Sequence, residues 1–190
     1  MDQVATLDFA VNELRRQVAA LPGAQLETAS NCDPWTVRQL ASHALNNQML
    51  WGGLVTGEHT VTVEETMGGV PHDGDLTEYA DEVTDRSLGM WRTSGVLDSV
   101  HATPFGELPG TVVINFPTID AVCHAWDLSA SVGRPLEFPP EMIPAISEIV
   151  DAVCTDAVRE TGLIKGVTPT ASDATDTERL MSQAGRTVRV

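Results

Sequence analysis

The sequence predicts an all-α fold: an antiparallel four-helix bundle with an additional C-terminal helix and one short irregular or extended connection. Two observations carry this. Apolar residues recur every three or four positions through several long segments, the spacing of a helix with one buried face. Glycine and proline clusters punctuate the gaps between those segments, and the β-branched Thr111-Val112-Val113-Ile114 could be extended or the entry to the next helix.

The first helix spans about residues 4–20, with Val4, Leu7, Val11, Leu14 and Val18 on one face and Pro22-Gly23 as its stop. Residues 24–34 read as a polar loop. Asp33-Pro34-Trp35 reads as the second helix start, Asp33 capping and Pro34 in the first turn. This helix runs to about Leu54 and carries Trp35, Val37, Leu40, Ala41, Ala44, Leu45 and Leu50 on its apolar side, with His43 beside or within that face. Residues 56–74 are loop-like. A third helix over 75–93 has Asp75 as its cap and Leu76, Tyr79, Val83, Leu88 and Trp91 at helical spacing.

Residues 95–116 break the pattern, with Pro104 to Gly110 forming a turn-rich link. The fourth helix contains Thr118 to Leu128, with Pro117 in or near its first turn and Gly133 as its stop. A fifth helix is expected at about 141–161, followed by a polar loop over 163–175 and a short last helix from Thr177 to Ala184. The division read from this pattern is a bundle over 1–165 and a C-terminal extension over 166–190.

The charge excludes some partners. Against 11 basic residues stand 27 acidic ones, a net charge of −16, and a field of that sign repels phosphate backbones and anionic lipid. Neither nucleic acid nor a membrane is an expected partner, and no apolar run is long enough to span a bilayer. Cys32, Cys123 and Cys154 are odd in number and widely spaced, which suits a reducing, cytoplasmic setting better than a disulfide framework. Met1-Asp2-Gln3-Val4 does not begin a signal peptide pattern.

Asp120 and His124 stand four residues apart in the fourth helix, so they project from one face about 6 Å apart along the axis. Two such side chains can share a metal ion, but a third donor is needed. Of the five histidines, His59, His72 and His101 fall in connections, and only His43 is mid-helix among apolar residues as His124 is. Facing helices of a bundle bring inward side chains to one point. The candidate metal ligands are therefore His43, Asp120 and His124. Against this stands the plain alternative that the histidines are satisfied core residues and that Asp120 complements the dipole near its helix start.

Pro34-Trp35-x-Val37-x-x-Leu40-x-x-His43, then Pro104-Phe105-Gly106, then Asp120-x-x-x-His124-x-Trp126-Asp127-Leu128-Ser129-Ala130-x-x-Gly133 resemble the DinB/YfiT-type bundle proteins. The branch they are most similar to contains the metal-binding domain of mycothiol-dependent maleylpyruvate isomerase. The terminal Arg179-Leu180-Met181 and Gly185-Arg186 fit the same branch. The resemblance implies one divalent metal held by one residue of helix 2 and two of helix 4, here His43, Asp120 and His124. That branch has Glu in the carboxylate position, and Asp120 is one methylene shorter. The isomerase's further C-terminal domain has no counterpart in the pattern. What the resemblance implies is therefore a thiol-dependent transferase, with mycothiol or a similar low-molecular-weight thiol as cosubstrate and a small-molecule electrophile.

Nitrogen and oxygen donors suit zinc, nickel, manganese or iron, with zinc or nickel expected first. Three protein ligands leave a position open, where a coordinated thiol would bind as thiolate. The alternatives are a metal-dependent hydrolase and a non-catalytic metal- or small-molecule-binding bundle. A homodimer is left open. Asp127 could orient His124, although a plain structural hydrogen bond is the favoured role. Asn47, one turn beyond His43, could meet substrate, although a solvated or interhelical place is simpler. Trp35 and Trp126 read as core anchors or pocket walls, Cys123 as a small buried apolar residue, and Arg134 as a surface cation.

Overall fold

The computed structural model describes residues 2–188. The described chain divides into two compact units, Asp2–Pro135 and a second beginning at Leu136, ahead of the 165/166 division read from the sequence.

The first unit is a bundle of four long helices: α1 (Gln3–Ala19), α2 (Val37–Thr56), α4 (Leu76–Trp91) and α6 (Asn115–Ser131). Side-chain pairs fix their directions. Arg15 meets Asp81 at 3.0 Å and Arg92 meets Asp8 at 2.5 Å, so α1 and α4 run oppositely. Gln3 bonds the Thr111 carbonyl just before α6, and Gln17 bonds Arg134 just after it, so α1 and α6 run together. Asn46 meets Tyr79 and Gly52 lies against Met90, which makes α2 and α4 parallel. Gln48 donates to the carbonyl of Pro117, five residues on from His43 in α2 and three before Asp120 in α6. The helices α2 and α6 are thus antiparallel across the face that holds the candidate site.

The interior is what the apolar spacing anticipates: Leu7, Val11 and Leu14 of α1, Leu40 and Leu45 of α2, Val83 and Trp91 of α4, and Val122 and Leu128 of α6 are all buried. Burying side chains of this size stabilises each by roughly 1.5–3 kcal/mol relative to exposure. Trp126 is half-buried and Cys123 buried.

Several element ends differ from expectation. The second helix does not start on Asp33 and Pro34. Its cap is Thr36, whose hydroxyl accepts from the Gln39 N–H while the Gln39 side chain accepts from the Thr36 N–H. This reciprocal box satisfies two donors that an isolated Asp33 would have left to other partners. Asp33-Pro34 instead forms a cis peptide in a loop that is tied to α2 by an Ala29–Thr36 bridge.

The 56–74 connection contains a short helix, α3 (Val63–Met67), started by a second box between Thr62 and Glu65. The irregular link after α4 is an antiparallel hairpin, β1 (Val100–Thr103) with β2 (Gly106–Pro109), followed by one turn, α5 (Gly110–Val113). The β-branched residues 111–113 therefore belong to a helical turn. Pro117 is the third residue of α6, where its missing N–H costs nothing.

In the second unit, the single helix expected at 141–161 is two: α7 (Ile143–Val153) and α8 (Asp156–Glu160). The break falls where Thr155 turns its hydroxyl to cap Val158. The last helix, α9 (Asp176–Gln183), is started by a third box, Thr175 with Glu178. No helix among the described residues is long and apolar enough to cross a membrane.

Candidate metal centre

The antiparallel pair α2 and α6 brings His43, Asp120 and His124 together. His124 Nε2 lies 3.4 Å from Asp120 Oδ2, and His43 Nε2 lies 3.7 Å from the same oxygen. The imidazoles meet edge to face with centroids 5.0 Å apart. Taking one donor atom from each residue, all three lie within 4.8 Å of one another. Both histidines are buried, and the Asp120 side chain keeps 15% exposure.

The other ring nitrogens are occupied. His43 Nδ1 is 2.8 Å from the carbonyl oxygen of Thr66, and His124 Nδ1 is 3.0 Å from Asp127 Oδ2. A carbonyl and a carboxylate can only accept, so each Nδ1 carries the hydrogen. A neutral imidazole protonated at Nδ1 presents a lone pair at Nε2. Two lone pairs therefore face a carboxylate oxygen. Such a cluster needs a proton or a cation at its centre.

Without a metal, a proton fills that need. Burial disfavours the charged forms of both groups, yet their attraction prevails. His124, with His43 behind it, holds the Asp120 carboxyl below the ordinary carboxylate range. The Asp120 carboxylate, supported by Asp127 and Cys32, raises His124 well above the ordinary imidazole range.

The residues also fit a divalent ion. Donors about 2.1 Å from a tetrahedral zinc sit about 3.4 Å from one another, close to the separations of Asp120 Oδ2 from the two Nε2 atoms. Asp120 Oδ1 is buried and has no hydrogen-bond partner. Each imidazole has its Nδ1 tied to an acceptor, the arrangement that orients metal-binding histidines.

The supporting groups extend further. Asp127 is fully buried. Besides His124, its carboxylate accepts from Asn31 Nδ2 at 3.1 Å and from the Cys32 thiol at 3.3 Å. Cys32, His124 and Asp127 also group closely enough to hold an ion, but doing so would sacrifice the Nδ1–Asp127 bond. They are better suited to support the first cluster. Trp35 lies over His43 with ring centroids 4.4 Å apart. Gly69 has φ +62°, and a Cβ there would fall 2.4 Å from the Trp35 indole nitrogen, so glycine is required both by backbone and by space.

The sequence reading named the three central residues, and with Asp127 and Trp35 it touched two of their supports. It missed Asn31, Cys32 and the Thr66 carbonyl. The signal for Thr66 was the Thr62-x-x-Glu65 box, which makes a helix of what reads as open loop.

Residues 7–129 match the mycothiol maleylpyruvate isomerase N-terminal domain family. The chain belongs to that family. The matched residues include His43, Asp120 and His124 with Cys32, Thr66 and Asp127, so the segment shared with the family contains the whole cluster. Two uncharacterised proteins of Mycobacterium tuberculosis, from two strains, are each 23% identical over 150 residues, covering 75% of this chain and 74% of the relative. Crystal structures of mycothiol-dependent maleylpyruvate isomerase and of a histidine-to-alanine mutant of it superpose with a TM-score of 0.61, at 18% and 17% identity. Each covers 78% of this chain and 68% of the isomerase chain, and the likeness is one of fold.

Proposed function

We propose that the chain is a divalent-metal-dependent thiol S-transferase. His43, Asp120 and His124 hold one ion, zinc or nickel, and a mycothiol-type thiol is the cosubstrate for a small electrophile. The observation that carries this is the meeting of two buried, Nδ1-tethered imidazoles on one carboxylate oxygen of Asp120. The family's name, and the isomerase of the same fold, support mycothiol as the thiol.

When bound, the ion supplies the acidity that turns an incoming thiol into a thiolate at neutral pH. The chain's own residues do the rest. Thr66 and Asp127 fix both rings so that their Nε2 lone pairs face inward. Asp120 contributes one negative charge and a spare oxygen. Trp35 covers His43 and limits water at that side. In the transfer, the thiol proton leaves to solvent, a carbon–sulfur bond forms, and the electrophile releases its leaving group or accepts the electron pair on its conjugated system.

The test is a conjugation assay on protein stripped of metal and then reloaded with zinc or nickel, with mycothiol and an alkylating fluorophore. Metal-dependent thiol consumption, lost in His43→Ala and His124→Ala, is expected. Metal-dependent hydrolysis of model esters with no thiol consumption would replace this reading with a hydrolase.

A further inference from the structure

Two aromatic rings stand beyond the candidate metal cluster on the same two helix faces, and a third reaches them from the hairpin. Phe116 precedes Asp120 by four residues in α6, so the two share a face, about one turn or 6 Å apart. Asn47 and Trp51 follow His43 at successive four-residue steps in α2. Because α2 and α6 are antiparallel, both progressions lead the same way, and they end with Trp51 and Phe116 stacked at 4.9 Å and 13° from parallel. Phe105, from the hairpin turn, joins them at 5.2 Å from Phe116 and 6.4 Å from Trp51.

This cluster differs from ordinary core. Phe105 is 47% exposed although its ring lies against two others. Trp51 is 8% exposed, and its indole N–H makes no hydrogen bond within the described chain. Asn47, half-buried between the rings and the metal cluster, also makes no side-chain hydrogen bond there.

Charge narrows what could bind. The arginines of the bundle, Arg15, Arg16, Arg38, Arg86, Arg92 and Arg134, are each engaged by another side chain. The negative charges of Asp120, Asp127 and a thiolate together exceed that of a divalent ion. Five of these arginines are paired with carboxylates, and the sixth, Arg134, meets the neutral Gln17 beyond the end of α6 opposite Phe116, so a carboxylate on the electrophile would have to displace an acidic partner or reach about 27 Å along the helix.

We propose that Trp51, Phe105, Phe116 and Asn47 form the subsite for the electrophile, and that it takes an uncharged molecule with a flat aromatic or extended conjugated system. The ring faces stack on the flat portion, Asn47 and the Trp51 N–H bond its polar substituents, and the reacting carbon lies toward Asp120. This rests on the transferase reading for its chemistry, but the subsite itself is a property of the chain with or without metal.

The test is equilibrium dialysis of the full chain with meta-dinitrobenzene, a flat uncharged probe, and with the corresponding dinitrobenzoate. Stacking contributions of about 0.5–1.5 kcal/mol predict that Phe105→Ala weakens dinitrobenzene binding roughly three- to tenfold. Phe105→Tyr should keep it, and the dinitrobenzoate should bind at least about tenfold more weakly than its neutral counterpart. No binding by the native chain, equal binding by Phe105→Ala, or equal affinity for the carboxylated probe would overturn the subsite. Probe binding that depends on Phe105 in a chain that takes up no metal supports the subsite and removes only the metal reading. Full metal uptake with Phe105-independent probe binding removes only the subsite.

Discussion

His124 donates from Nδ1 to Asp127 Oδ2 at 3.0 Å, and this one bond decides which nitrogen faces the centre of the bundle. It fixes the ring and its tautomer together. Asp127 in turn is held by Asn31 and Cys32 from the loop before α2, so a loop remote in sequence helps to set the donor geometry of α6.

Asp127→Asn should therefore weaken metal binding while leaving the three ligands in place. Loss of such a supporting carboxylate costs about 10–100-fold in metal affinity. Competition against a chelating indicator measures it, and unchanged affinity would mean that Asp127 only stabilises the fold.

The pH dependence of stability should reverse in sign when metal is added. In the metal-free chain the raised His124 contributes stability that is complete below the unfolded imidazole value of 6.5 and fades as pH rises through its folded value. The lowered Asp120 contributes stability that is complete above the unfolded carboxyl value of 3.8 and fades as pH falls. Metal-free protein should thus gain most from this pair between those two values and lose that gain toward alkaline pH. With zinc, the ion must displace the proton, so its stabilisation grows as pH rises through the imidazole range. Urea midpoints with and without zinc at about pH 5.5 and 8 test this, and Asp120→Asn should flatten both trends.

Gly69→Ala should both destabilise the chain and loosen the site. The residue sits at φ +62°, and a methyl there would collide with the Trp35 ring that covers His43. Backbone strain and overpacking each cost about 1–3 kcal/mol. Thermal unfolding reads the first effect and zinc affinity the second; a variant with native values of both would show that the segment yields freely.

The parts of this protein that were legible in its sequence are those written in one helix at a time. Asp120 and His124 are four residues apart, and helical periodicity alone puts them on one face. His43 could be paired with them because it too lies mid-helix among apolar residues. The missed parts depend on contacts between segments distant in sequence or on backbone atoms. Nothing in the residue names announces that the Thr66 carbonyl meets His43, or that Asn31 and Cys32 reach Asp127. The misplaced helix ends have a different cause. Asp33-Pro34 satisfies a composition rule for helix starts, but Thr36-x-x-Gln39 offers two reciprocal bonds and prevails. The same pattern at Thr62 and Thr175 marks α3 and α9, and Thr155 divides what apolar spacing joined as one helix.

If His43, Asp120 and His124 form one metal site, elemental analysis of untagged protein after exposure to zinc and extensive dialysis will show it. About one ion per native chain is expected, and close to none for His43→Ala, Asp120→Ala or His124→Ala, each still helical by circular dichroism. A native chain without metal, or an alanine variant that keeps a full complement, would contradict it.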